Sequence, residues 1–172
     1  SAAGGLKMAA IGLVEELTVE AAKRVCLGAG AKVDLVFSHH LTRRDVERIK
    51  NENIDIILLS GGSDGGNSEN VIFNAELLGK MDVKVPVVYA GNKSASDEVF
   101  DIFEKYNMDG HICDNVMPKI NKLNAKSARN KIREIFLKKI IEAKGIKKIE
   151  QVIDQVVLPT PNAVLQAALL LA

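Results

Sequence analysis

The sequence predicts an α/β protein, a five-stranded, mainly parallel sheet with helices on both faces, followed by a helical C-terminal extension. Three observations carry this. Short apolar runs alternate five times with segments of helical periodicity. The run Ile54-Asp55-Ile56-Ile57-Leu58-Leu59 is nearly continuous in apolar residues, as expected of a strand covered on both faces. It then breaks into Gly61-Gly62-Ser63-Asp64-Gly65-Gly66-Asn67, and a helix pattern follows at once. In open α/β sheets, ligands sit beyond the carboxyl ends of the strands, so this glycine loop lies where a site would be.

Taken in order, Leu6 to Leu13 reads as the first strand. Thr18 suits an N-cap for a helix over Val19 to Leu27, which carries Ala21, Ala22 and Val25 at helical spacing and is stopped by Gly28 and Gly30. Lys32 to Phe37 is the second strand. Thr42 and Asp45 have the spacing of a capping box, with Val46 and Ile49 on one face of the helix they open. The third strand, Ile54 to Ser60, leads through the glycine loop into a helix over Ser68 to Lys80 that buries Val71, Ile72, Ala75 and Leu78. Val85 to Ala90 is the fourth strand, with Pro86 tolerated near its start. Gly91, Asn92 and Lys93 lead to a helix with Ser94 and Asp97 spaced as a capping box and Val99, Ile102, Phe103 and Tyr106 inward. Gly110 to Asp114 is a short fifth strand.

After Asp114 the alternation stops. A loop with Pro118 precedes a long helix, about Ala125 to Lys144, with a stripe of Ala128, Ile132, Ile135, Phe136 and Ile140. Gly145 ends it. A further short helix or helix-to-strand segment follows over Ile146 to Leu158, and Thr160-Pro161 is a helix start. The domain reading is therefore a Rossmann-like module over 1–115 and a helical extension over 116–172 packing on it. Both ends read as cut: Ser1 to Gly5 runs into the first strand without an initiator Met, and the almost wholly apolar 163–172 expects a neighbour.

Composition narrows the function classes. The 172 residues are 47% hydrophobic and 26% charged with a formal net charge of +1, so nothing favours nucleic acid or an anionic membrane. Aromatics are 4% with no Trp, which argues against base-stacking platforms. Cys26 and Cys113 match no metal spacing and read as reduced, buried residues of a cytoplasmic protein. No signal peptide and no apolar run long enough to span a bilayer is present.

A parallel sheet would line up Glu15, Glu16, Ser38, His39, His40, the glycine loop, Gly91, Asn92, Lys93, Asp114 and Asn115 along one edge, where loops are polar in any case because they are exposed. The contact candidates are Gly61, Gly62, Ser63, Asp64, Gly65, Gly66, Asn67, Gly91 and Asn92. Backbone amides of the loop and the following helix could hold an anion, or the loop could be a tight turn in which Asp64 or Asn67 caps the helix. It is neither a Walker loop, lacking Gly-Lys-Ser/Thr, nor a dinucleotide Gly-x-Gly-x-x-Gly. His39-His40 has no partner at metal spacing. Asp109-Gly110-His111 departs from the cobalamin-binding Asp-x-His-x-x-Gly at Asp114. A receiver domain is excluded because the third strand ends in Ser60 and not Asp. His111 and Cys113 would share a face of a strand and pack there. No nucleophile–base pair is legible, and the lysines of 122–148 read first as a solvated helix face, second as a surface for an acidic partner.

Several segments together carry a family likeness. They are Ser1 to Met8, Ile11-Gly12-Leu13-Val14 with Glu16-Leu17-Thr18, Leu59-Ser60-Gly61-Gly62-Ser63-Asp64-Gly65-Gly66-Asn67, Ala90-Gly91-Asn92, Asp114-Asn115-Val116-Met117-Pro118 and Leu158-Pro159-Thr160-Pro161-Asn162-Ala163-Val164-Leu165. In this order they resemble the GlmL/MutL family, accessory proteins of adenosylcobalamin-dependent glutamate mutase and aminomutases, distinct from the mismatch-repair protein of the same name. The resemblance implies a parent of the actin/hexokinase ATPase type, using ATP and Mg, that reactivates or chaperones a cobalamin-dependent mutase whose subunits are its partners. The two phosphate-loop motifs of such ATPases, Asp-Phe-Gly-Ser-Thr-like and Asp-x-Gly-Gly-Ala-Thr-like, are absent from this chain, so no catalytic residue is carried over. The expected role is an interaction or lobe-coupling module of that ATPase. The alternatives are a stand-alone small-ligand or nucleotide-binding domain using Gly61 to Asn67, and an enzyme with its site at His39, Asp64 and Asn92.

Overall fold

The computed structural model describes residues 5–144. The strands are β1 (Leu6–Gly12), β2 (Ala31–Ser38), β3 (Ile56–Leu59), β4 (Val87–Tyr89) and β5 (Gly110–Ile112), and the helices are α1 (Glu15–Cys26), α2 (Arg43–Asn51), α3 (Glu69–Lys80), α4 (Ser96–Lys105) and α5 (Lys126–Ala143). The strands form one sheet in the order β2-β1-β3-β4-β5, with every pairing parallel. The α/β class with a five-stranded parallel sheet is thus observed. The chain divides into two units, residues 1–136 and 137–172. Of the second, only the last turns of α5 are described, and the segments expected over 146–158 and from Thr160 lie outside the described residues.

Side-chain alternation along the strands builds two cores. Ala9, Ile11, Ile57, Leu59, Val87 and Tyr89 face one layer, made by Val46 and Ile49 of α2, Val71, Ala75 and Leu78 of α3, and Val99, Ile102 and Phe103 of α4. Leu6, Met8, Ala10, Ile56, Leu58 and Val88 face the other, made by Ala21, Ala22 and Val25 of α1 and Ala128, Ile132 and Ile135 of α5. β1, β3 and β4 are buried on both faces, which is why their sequences read as unbroken apolar runs.

Two helix starts differ from expectation. Thr18 does not cap α1. The helix begins a turn earlier, at Glu15, with Val14 at the N-cap position and no side-chain cap. Thr18 is buried within the helix, its hydroxyl donating to the Val14 carbonyl at 2.7 Å, and its side chain fills the space above Gly12. Burial against β1 overrides the preference of threonine for a cap. At α4, Ser94 is not the cap either. Asn92 accepts from the Ser94 amide and opens a 3-10 turn over Lys93–Ala95, and α4 follows from Ser96. The Thr42–Asp45 capping box forms as expected, with both reciprocal bonds present.

Candidate functional site

With all strands parallel, the loops after β1, β3, β4 and β5 share one edge of the sheet. The order 2-1-3-4-5 is that of flavodoxin-like doubly wound sheets. From β1 the chain goes outward to β2, then returns across β1 to β3 and beyond. The loops after β1 and β3 therefore depart to opposite faces and leave a crevice between them, the general position of ligand sites in such sheets.

The glycine loop after β3 is tied down from three sides. Asn92, fully buried, accepts from the amides of Gly65 at 3.0 Å and Ser94 at 2.9 Å, and donates to the carbonyls of Gly66 at 3.0 Å and Asn67 at 3.1 Å. All four hydrogen-bonding positions of its amide are used. Asn115, also buried, donates to the Gly62 carbonyl at 3.0 Å and to Asp64 Oδ1 at 2.9 Å, and accepts from the Met117 amide at 3.0 Å. Asp64 Oδ1 also accepts from the Lys93 amide at 2.8 Å, and the Asp64 amide donates to the Pro118 carbonyl at 3.0 Å. Beneath the loop, the buried Tyr89 hydroxyl donates to the Asn92 carbonyl at 2.6 Å. Burial, and secondarily the charge of Asp64, pushes the Tyr89 phenol well above its usual range, so it stays a donor.

This geometry accounts for the glycines. Gly61, Gly62 and Gly65 have φ of 133°, 76° and 76°. A Cβ at Gly62 would collide with the Asn67 carbonyl oxygen, and one at Gly66 would come within 2.9 Å of the Ser63 hydroxyl. At Gly91 it would come within 3.0 Å of the Gly61 carbonyl oxygen and of the Tyr89 ring. Asn67 lies just before α3, and its side chain accepts from the Asn70 amide at 3.3 Å, in the manner of a helix cap. Asp64 is engaged with Lys93 and Asn115 instead.

The opposite side of the loop is apolar. Gly61, Gly62 and Ser63 line a cavity of about 360 Å³ whose other walls are Leu13, Val14 and Leu17 at the start of α1, and Val116, Met117 and Ile120 after β5. Val14, Leu17 and Ile120 are exposed at 41%, 39% and 79%, a local concentration of uncovered apolar surface. Thr18, Ser60 and Asn115 also contribute to the walls, but their polar hydrogens are already committed, to Val14, to Ile11 and to Gly62 and Asp64 respectively.

The structure brings Asp64 and Asn92 into one network and leaves His39 out of it. His39 closes β2, on the other side of β1, where its carbonyl accepts from Asn74 Nδ2 at 2.9 Å. His40 stacks on Phe73 with ring centroids 4.1 Å apart. Asn74 is a further buried asparagine: it receives the Leu41 amide at 2.8 Å and holds the β2–α2 loop as Asn92 holds the glycine loop. Nothing in its local sequence marks it out. Asn115 is recognisable from sequence only as one polar residue of the edge. Nor does the apolar wall of Leu17, Met117 and Ile120 show there, because its members lie far apart along the chain.

Both thiols are subdued. Burial pushes Cys26 up to about 11, and burial also raises Cys113, against the lowering effects of the Ser127 hydrogen bond and Lys131. His111 Nε2 lies 2.9 Å from Asp109 Oδ1 without hydrogen-bond geometry. Among the described residues, no group of three or more His, Cys, Asp or Glu is placed to hold a metal ion, and no helix is long and apolar enough to cross a membrane.

Comparison with known proteins agrees with the motif likeness. A curated Protein MutL from Clostridium tetanomorphum is 59% identical over 172 residues, covering all of this chain and 37% of that protein. The chain thus spans well under half the length of this relative. Among solved structures, a CheY-like response regulator receiver domain from Methanospirillum hungatei JF-1 aligns with a TM-score of 0.48 and 16% identity, over 80% of this chain and 98% of that one. The family model described as MutL protein matches residues 1–172, and the chain belongs to that family.

Proposed function

We propose that this chain is a non-catalytic interaction and lobe-coupling module of a cytoplasmic accessory ATPase that reactivates or chaperones a cobalamin-dependent amino-acid mutase. The observation that carries the non-catalytic reading is the commitment of three polar side chains at the edge. Asp64, Asn92 and Asn115 are spent on backbone groups and on one another, which makes the glycine loop a braced strut. A braced α/β body suits the transmission of a closing motion between lobes. In this reading ATP and Mg²⁺ are handled by other parts of the longer protein, and the mutase subunits are its partners. Support for the parent's role comes from the family resemblance in the motifs.

Two measurements test it. Calorimetry of the 172-residue chain with MgATP is expected to show no binding, and micromolar, Mg-dependent binding would overturn the reading. In the full-length protein, Asn92→Ala is expected to leave ATP binding intact while weakening reactivation of the mutase. Unchanged reactivation would remove the coupling role.

A second reading is a small-ligand domain. The cavity at the β1/β3 crevice favours it, being of ligand size and largely apolar.

A further inference from the structure

We infer that the cavity between the start of α1, the glycine loop and the segment after β5 binds a small, uncharged and largely apolar molecule that carries a hydrogen-bond acceptor. The inference rests on the small-ligand reading and gives it a ligand class. Three features of the walls define that class.

Size comes first. A volume of about 360 Å³ lies at the lower end of ligand pockets and, at roughly 30 Å³ per water-sized group, holds on the order of a dozen non-hydrogen atoms. A nucleoside triphosphate is too large to be enclosed.

Polarity comes second. Three side-chain donors in the wall are used internally, Thr18 to Val14, Ser60 to Ile11, and Asn115 to Gly62 and Asp64, while the side chains of Ser63 and Asn67 also line it. The backbone differs. The amides of Asp64, Gly65 and Gly66 donate to Pro118, Asn92 and Ser63, but among the described residues no acceptor pairs with the amides of Gly61, Gly62 or Ser63. Unpaired amides set in largely apolar walls suit an apolar body bearing an acceptor such as a carbonyl.

Charge comes third. Among the described residues, no acidic or basic one lines the cavity. An ion placed there would lose hydration with no opposite side-chain charge beside it, although loop amides and a helix start would otherwise suit an anion. The molecule is therefore neutral.

The test uses acetophenone and isopropylbenzene, which match in shape and differ in the carbonyl. Each is titrated into the 172-residue chain and followed by amide and methyl NMR. Acetophenone is expected to shift the amides of Gly61, Gly62 and Ser63 and the methyls of Leu17 and Ile120, and to bind about fivefold or more tightly than the hydrocarbon. Leu17→Arg, at a half-exposed position, is expected to abolish the shifts while the circular dichroism spectrum stays unchanged. Equal affinity for the two probes would overturn the acceptor requirement. Shifts elsewhere, no shifts, or displacement of acetophenone by millimolar ATP would overturn the site. None of these outcomes bears on mutase reactivation, so the interaction-module reading stands or falls separately.

Discussion

Removal of the Asn92 side chain is the most direct probe of the brace. Asn92→Ala strands two amides, of Gly65 and Ser94, and two carbonyls, of Gly66 and Asn67. Gly65, Gly66 and Asn67 are exposed, so water can replace part of what is lost. A net worth of about 0.5–1 kcal/mol per bond then applies, giving about 2–4 kcal/mol for the four. Asn92→Asp separates hydrogen bonding from packing. It keeps the shape and the two accepted bonds but sets a carboxylate oxygen against the Gly66 and Asn67 carbonyls. Buried and set against two carbonyls, which outweigh the two amides donating to its other oxygen, the new carboxylate has a folded-state pKa raised above its unfolded value of about 3.9. Its destabilisation is full above the raised folded pKa and diminishes as pH falls toward the unfolded one. Asn92→Asp should therefore be less stable than Asn92→Ala at pH 7.5 and recover relative to it near pH 5. Urea denaturation followed by circular dichroism reads both, since the chain has no Trp. A loss below about 0.5 kcal/mol for Asn92→Ala, or pH-independence of the gap between the two variants, would refute the brace.

Three further outcomes follow from the same geometry. Gly62→Ala should cost about 2–3 kcal/mol, from positive φ and collision with the Asn67 carbonyl, whereas Gly65→Ala, at the same φ but facing open space, should cost about 1 kcal/mol; equal urea midpoints would count against this turn of the loop. Cys26, with its thiol near 11, should react with a disulfide reagent at pH 8 at least about tenfold more slowly than free cysteine, and ordinary rates would show it more open than described. Glu76 is held below the usual carboxylate range chiefly by the Tyr106 hydroxyl at 2.7 Å, so the stability it adds is present above its unfolded pKa and is lost as pH falls through the folded one. Tyr106→Phe should raise its midpoint in a carboxyl NMR titration, and an unmoved midpoint would deny the bond its role.

The polar edge of the sheet is legible in the sequence as a location but not as a mechanism. The glycine loop, Gly91 and Asn92 read as one neighbourhood, and the structure does join them. Four glycines in seven residues look like more than a turn requires. Positive φ at Gly61, Gly62 and Gly65 and the close approach at Gly66 supply a local reason for each. At Thr18 and Ser94, cap preferences are overridden by burial against β1 and by Asn92, which accepts from the Ser94 amide and opens a 3-10 turn.

Local chemistry in the sequence settled what repeats along the chain. Alternating strand and helix periods, doubly buried strands and the Thr42 capping box each depend on neighbours within a few residues, and the motifs in their order marked the family. Strand order, the asparagine clamps and the apolar cavity were left to the tertiary structure. Asn92 reaches the glycine loop across 25 to 27 positions and Asn115 across 51 to 53, while Leu17 and Ile120 meet around one cavity from opposite ends of the sheet module. Such contacts exist only after the crossovers have set β1 beside β3, because nothing in the local sequence of either strand states which neighbour it will pair with.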